Sequence, residues 1–194
     1  MRIGVLGSGA VGQALGGGLS KLGHEVKMGT RDPASDKVQS WVVGTGGKTS
    51  AGTFAEAAAF AEVAILATAW AGTESAIHLA GPDHLAGKVV IDATNPLQFG
   101  ATGTPTLALG FGDSAGEQVQ RWLPRANVVK AFNTVGNAHM VKPEFPGGPP
   151  DLFIAGDDPD AKKTVTELAQ ALGWRVIDLG GIETARYIEP LAMV

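Results

Sequence analysis

Three groups of residues in this 194-residue chain could do chemistry. The first is a glycine turn, Gly7-Ser8-Gly9-Ala10-Val11-Gly12, set directly after the apolar run Arg2 to Leu6. A helical pattern follows over Ala10 to Leu22, with apolar residues at Val11, Ala14, Leu15, Leu19 and Leu22. The Gly-x-Gly-x-x-Gly string alone says little in a chain with 28 Gly. Between a strand and a helix it says more. Gly7 permits the tight turn, Gly9 lets backbone approach a pyrophosphate, and Gly12 lets the helix pack close to a sheet. Backbone from Ser8 to Val11 then offers first-turn N–H groups and a helix dipole to an anion. The alternative is a tight strand-to-helix turn with no ligand.

The second group closes the next strand, His24 to Met28, which runs into Gly29-Thr30-Arg31-Asp32-Pro33. An NAD site usually ends this strand with a carboxylate that accepts from the ribose 2′-hydroxyl. Here Arg31 offers a planar fork for a 2′-phosphate and a flat cation for adenine, with the Thr30 hydroxyl as a further donor. Lys37 could add a second positive charge. Asp32 cuts the other way, but Pro33 is expected to turn it outward. The pattern favours NADP(H) over NAD. A solvated surface charge is the alternative for Arg31.

The third group lies at later strand ends. Ala67-Thr68-Ala69-Trp70 could run under the pyrophosphate and ribose, and Thr94-Asn95-Pro96-Leu97 could bring the Asn95 carboxamide near a cofactor amide. Ala131-Phe132-Asn133-Thr134 adds a second carboxamide at Asn133. Simpler readings are a turn at Asn95-Pro96, packing for Trp70 and a strand-end cap for Asn133. No catalytic acid stands out. Reducing a carbonyl or imine needs a proton donor beside the accepting atom. His139 is the one nearby candidate, and a surface-loop histidine accounts for it as well. A nicotinamide pocket without an acid suits hydride exchange with another ring cofactor, which needs stacking geometry and a dry cleft.

The elements that must position these groups read as alternating strands and helices. Strands are expected at Arg2–Leu6, His24–Met28, Lys48–Ala51, Glu62–Thr68, Lys88–Ala93, Asn127–Phe132, Leu152–Ala155 and Arg175–Leu179. Helices are expected at Ala10–Leu22, Thr53–Ala61, Thr73–Ala80, Asp113–Trp122 and Asp160–Leu172, and another begins at Ile182. Thr53 with Glu56 three residues on makes a capping box. The alternation predicts an α/β fold with a doubly wound, mostly parallel sheet, the NAD(P)-binding Rossmann fold. Irregular stretches at Thr94–Gly112 and Gly136–Pro150 follow strands, so they should border the ligand at the carboxyl edge.

Length and composition predict one domain over residues 1–194, whose closing helix from about 181 reads as truncated or buried against a partner. A net charge of −4 without a basic block argues against nucleic acid or an anionic membrane as partner. There is no Cys, and the four His show no ligand spacing, so no metal site is expected. No apolar stretch is long enough to span a bilayer, and the first strand leaves no room for a signal peptide, so the cytoplasm is the expected location.

Met28-Gly29-Thr30-Arg31-Asp32-Pro33, Asp92-Ala93-Thr94-Asn95-Pro96, Val128-Val129-Lys130-Ala131-Phe132-Asn133, Ala155-Gly156-Asp157 and Asp178-Leu179-Gly180, with the glycine turn, resemble the NADPH-dependent coenzyme F420 reductases. The cytosolic domain of the six-transmembrane metalloreductases, which passes hydride from NADPH to a flavin, is similar. The resemblance covers essentially the whole chain. It implies a homodimeric oxidoreductase that moves hydride between NADP(H) and coenzyme F420, or a flavin. Carried over by position, Ser8 to Val11 would hold the pyrophosphate, and Thr30 with Arg31 the 2′-phosphate. Trp70, Asn95, Pro96, Leu97 and Ala131 would border the nicotinamide ribose and ring. The family's next basic residue aligns near Ser35 rather than Lys37. A reductase of a small carbonyl or imine, and an NADPH-sensing module without turnover, remain the alternatives.

Overall fold

The computed structural model describes residues 1–100, 103–148 and 150–194. Residues 101, 102 and 149, in the two long predicted loops, lie outside the described residues. Chain order is β1 (Arg2–Leu6), α1 (Ala10–Lys21), β2 (Glu25–Gly29), α2 (Asp36–Thr45), β3 (Thr49–Gly52), α3 (Phe54–Phe60), β4 (Val63–Leu66) and α4 (Thr73–Ala80). It continues with β5 (Val89–Asp92), β6 (Leu97–Phe99), β7 (Pro105–Leu107), α5 (Ala115–Trp122) and β8 (Asn127–Lys130). β9 (Asp151–Gly156), α6 (Pro159–Ala171), β10 (Arg175–Asp178) and α7 (Ala185–Ile188) complete it.

The principal sheet has eight strands in the order β10-β9-β8-β5-β4-β1-β2-β3. Every pairing from β8 to β3 is parallel. β9 runs antiparallel to β8, and β10 runs parallel to β9. This is the doubly wound, mostly parallel sheet that the strand–helix alternation predicts. The chain moves outward from β1 to β3, then returns to lay β4 against the free side of β1. At that reversal the carboxyl ends of β1 and β4 open a crevice.

Alternation along the strands builds two apolar layers. Ile3, Val5, Ile65, Ile91 and Val129 pack with Leu15 and Leu19 of α1 and Val165 and Leu168 of α6. Their neighbours Leu6, Ala64, Leu66, Val90 and Val128 pack with Ala57 of α3, Ile77 of α4 and Val119 of α5. With both faces covered, β4 is buried along its whole length, the reason it reads as an unbroken apolar run. The capping box forms as expected: the Glu56 N–H donates to the Thr53 hydroxyl, and the Thr53 N–H donates to the Glu56 carboxylate.

Three elements differ from the expected set. α2 has no counterpart in the pattern, because only Val38 of its ten residues is buried and Val42, Val43, Gly44 and Thr45 are poor helix formers. Trp41 ties it down by donating to the Gln13 carbonyl of α1 at 3.1 Å. The stretch Thr94–Gly112 carries a two-stranded hairpin, β6 with β7. The closing segment is not one helix but a 3-10 turn, the four-residue α7 and a second 3-10 turn over Glu189–Met193. Pro190 explains the break, since it has no N–H and its ring crowds the carbonyl four residues back.

α3 lies unusually close to β1. A Cβ on Gly4 would sit 2.4 Å from the Ala57 carbonyl oxygen and 2.9 Å from the Ala61 methyl. Gly4→Ala is expected to lower stability by about 2–3 kcal/mol by overpacking this contact. Urea denaturation checks it; an unchanged midpoint would show that α3 can move away freely.

Candidate functional site

A cleft of about 470 Å³ opens at the reversal between β1 and β4, lined by Gly7 to Gly9, Thr30, Arg31, Ala67 to Ala69 and one side of α4. The glycine turn produces it by steric exclusion. Gly7 has φ +129°, and a Cβ there would lie 2.4 Å from the Ala67 carbonyl oxygen. A Cβ on Gly12 would lie 2.1 Å from the Gly7 carbonyl oxygen, so α1 can begin this close to β1 only at glycine. Around Gly9, which caps α1, there is open space instead. The unpaired N–H groups of the first helical turn therefore face an unobstructed cavity, the arrangement that attracts anions.

Thr30 and Arg31 end β2 at one side of this cleft. The Thr30 hydroxyl lies 3.4 Å from the Ser8 hydroxyl, joining the second strand end to the glycine turn. Arg31 is exposed and, among the described residues, forms no ion pair. Asp32 is exposed, does not line the cleft, and accepts from the Ala34 N–H at 3.2 Å, so its carboxylate is engaged in the Pro33 turn. Lys37 is exposed on the first turn of α2 and does not line the cleft.

A second cavity of about 310 Å³ continues from the first, sharing Gly9 and Ala67 to Ala69 with it. Ala10, Val11, Trp70, Ala93, Asn95, Leu97 and Phe99 line the remainder. Hydrogen bonds between the Thr68 and Thr73 hydroxyls, 2.9 Å, and from Thr73 to the Ala69 carbonyl hold this strand end on α4. Trp70 stacks on Trp122 of α5 with ring centroids 5.5 Å apart. Among the described residues, none that lines this second cavity carries a titratable side chain. His139 stacks on Phe145 and lines neither cavity.

Gly12, Pro96, Ala131 and Asn133 do not line the cavities and lie buried beneath them. Asn133 instead holds Asn95. Its amide donates to the Asn95 side-chain oxygen at 3.1 Å, and the Asn95 amide donates to the Asn133 backbone carbonyl at 2.8 Å. The Asn133 Oδ1 atom is buried without a partner among the described residues.

Beneath Asn95 lies a feature that the pattern of strands and loops does not announce. The Lys130 ammonium is fully buried and bonds Asp92 at 2.9 Å, the Thr94 carbonyl at 2.7 Å and Glu189 at 2.9 Å. Asp92 also accepts from the Thr94 N–H and hydroxyl. Glu189 accepts from the N–H groups of Ala115 and Gly116 at the start of α5. Burial alone would lower the Lys130 pKa, but the Asp92 and Glu189 carboxylates outweigh it and hold it above the ordinary 10.5. Its stabilising contribution is therefore present in full below about pH 10.5 and fades only as pH climbs through the raised value. A lone Lys inside the apolar run Val128 to Phe132 was the available signal, because a buried ammonium demands buried oxygen partners.

Glycine turn, parallel sheet and reversal-point cleft together define a Rossmann-type α/β protein. The model of the family "NADP oxidoreductase coenzyme F420-dependent" matches residues 2–96. The F420-dependent NADP reductase of Methanothermobacter marburgensis is 36% identical over 201 residues, covering 98% of this chain and 89% of that protein. A solved structure from Arthrobacter sp. FB24, described as a candidate F420-dependent NADP reductase, is 42% identical with a TM-score of 0.93 over 98% of this chain and 90% of that one. Rat metalloreductase STEAP3 is 31% identical across 99% of this chain, which spans 36% of that protein's length. The chain belongs to the F420-dependent NADP reductase family.

Replacing Lys130 by Met leaves two carboxylates buried against each other, and the expected loss of stability is about 3–5 kcal/mol. Denaturant midpoints measure it; a loss below about 1 kcal/mol would mean that water or a rearranged partner neutralises the pair.

Proposed function

We propose that the paired cavities bind NADP(H) and that the protein exchanges hydride between it and coenzyme F420. The observation that carries this reading is the side-chain-free groove at Gly9 that leads to an unpaired Arg31 at one end and to Asn95 at the other. The residues present fit such a dinucleotide. Ser8 to Val11 would hold the pyrophosphate, Thr30 and Arg31 the 2′-phosphate, and Trp70, Asn95 and Leu97 would border the nicotinamide end. Lys37, Pro96 and Ala131 would act only at a distance, on the geometry described above.

Bound NADPH would supply a hydride from its nicotinamide ring. What the chain's own residues do is bind, orient and exclude water. The first-turn N–H groups of α1 neutralise pyrophosphate charge, and the Arg31 fork discriminates the 2′-phosphate from a bare hydroxyl. Asn95, with one amide hydrogen and one oxygen lone pair committed to Asn133, keeps the others for the cleft. Ala93, Leu97, Phe99 and Trp70 give that end an apolar wall. The absence of a titratable lining residue favours a ring acceptor over a carbonyl, because ring-to-ring transfer needs no protein acid at the accepting atom. The resemblance of the sequence to the six-transmembrane metalloreductases, whose cytosolic domain passes hydride from NADPH to a flavin, makes a flavin the second acceptor to test. The exposed apolar side chains of Tyr187, Leu191 and Met193 support homodimerisation as part of this reading. No helix among the described residues is long and apolar enough to cross a membrane.

Arg31→Ala should weaken NADPH binding by roughly 1.5–3 kcal/mol, the loss of a charged hydrogen bond, and leave NADH binding nearly unchanged. Titration calorimetry with both dinucleotides checks it, and equal losses would remove the 2′-phosphate assignment. NADPH oxidation followed against F420, FMN, FAD and a panel of small aldehydes should give turnover with F420; turnover with aldehydes alone would overturn the acceptor.

A further inference from the structure

We infer that Glu189, on the closing segment, is a positioning residue for the nicotinamide end of the cleft, acting through Lys130 and Asn133. The inference rests on the NADP(H) reading above and deepens it. Glu189 lines neither cavity and is 2% exposed, so it cannot touch a bound dinucleotide. Two bonded routes nevertheless connect it to Asn95.

The first route runs through charge. The Glu189 carboxylate meets the Lys130 ammonium, which donates to the carbonyl of Thr94, the residue before Asn95. All three ammonium protons have an oxygen partner, Asp92, Thr94 and Glu189, so none is spare to follow a displaced carboxylate. The second route runs through backbone. The carbonyl of Ile188, adjacent to Glu189, accepts from the Asn133 amide at 3.3 Å, and the same amide donates to Asn95. If Glu189 lets go, both the residue before Asn95 and the amide beside it lose a fixed partner.

Two further observations support a brace rather than incidental packing. Phe132, between Lys130 and Asn133, is buried at φ +64°, a left-handed conformation that a bulky residue adopts only where its surroundings impose it. The residues that bond the closing segment stand on either side of it. The closing segment is also clamped twice onto the start of α5, by Glu189 on the Ala115 and Gly116 N–H groups and by Arg186 paired with Glu117. That Arg186 hydrogen bond holds the Glu117 carboxyl below its ordinary range, the sign of an engaged pair. By contrast, the bonds that shape the adenosine end, Ser8 with Thr30 and the Asp32 turn, share no residue with this network. The brace therefore acts on one half of the cleft.

The test is calorimetric binding of two ligands, NADP+ and adenosine 2′,5′-bisphosphate, to the wild type, Glu189→Gln, Asn133→Ala and the double variant. Glu189→Gln should weaken NADP+ by about tenfold while leaving the bisphosphate within about twofold, and should weaken it clearly less than that in the Asn133→Ala background, where one of the two routes is already cut. Equal losses on both ligands, no loss on NADP+, or additive losses in the double variant would each overturn the inference. If Glu189→Gln fails to fold, Glu189→Asp and Asn133→Ser carry the same two-ligand comparison with the same outcomes. Failure of the wild type to bind the bisphosphate would instead remove the NADP(H) reading.

Discussion

At the carboxyl ends of β1 and β4, three backbone segments come closer than any side chain permits. The Gly7 position faces the Ala67 carbonyl, and the Gly12 position faces the Gly7 carbonyl, each at a distance where a single methyl would collide. That contact brings the start of α1 to the reversal point of the sheet with its N–H groups unpaired and unobstructed. Everything else at the site follows from where this bend points. The end of β2 supplies Arg31 on one side, and the ends of β4 and β5 supply Trp70 and Asn95 on the other. Hydrophobic burial on both faces of the sheet holds the strands, but burial alone would not leave a cavity at this point.

The two halves of the cleft are secured by different physics. The half proposed for adenosine relies on backbone geometry, a helix terminus and one solvent-facing guanidinium. Salt screens the last of these strongly. The half proposed for nicotinamide sits over a fully buried ammonium with its carboxylate partners, where screening is weak and loss of one partner is expensive. Such an arrangement fits the division of labour in dinucleotide recognition: one end captures charge, and the other fixes a ring in a defined orientation.

Much of the fold was legible because its signals are local. Apolar runs in β1, β4, β5 and β8, the glycine turn and the Thr53–Glu56 cap each lie within a few neighbouring residues. Arg31 was legible for the same reason, since it follows a strand end whose place in the fold is set by the turn before β2. Features built from distant residues were not legible. Lys130 finds Glu189 fifty-nine positions on, as the numbering gives it, and nothing near either residue names the other. The sequence offers Asn133 as a second carboxamide lining the cleft or as a strand-end cap, whereas the structure buries it under Asn95 as a support. α2 is illegible in the sequence because a helix lying on α1 with a single buried residue has almost no apolar period. The expected closing helix follows from the family's helical tail, and Pro190 within the segment is the local signal against a continuous one.

The most direct measurement is a crystal structure of this chain grown with NADP+. The account predicts the 2′-phosphate within hydrogen-bond distance of Arg31 and Thr30, the pyrophosphate over the Gly9 bend, and the nicotinamide carboxamide beside Asn95. A dinucleotide seated away from that bend, or an Arg31 turned to solvent with the 2′-phosphate bound elsewhere, would contradict it.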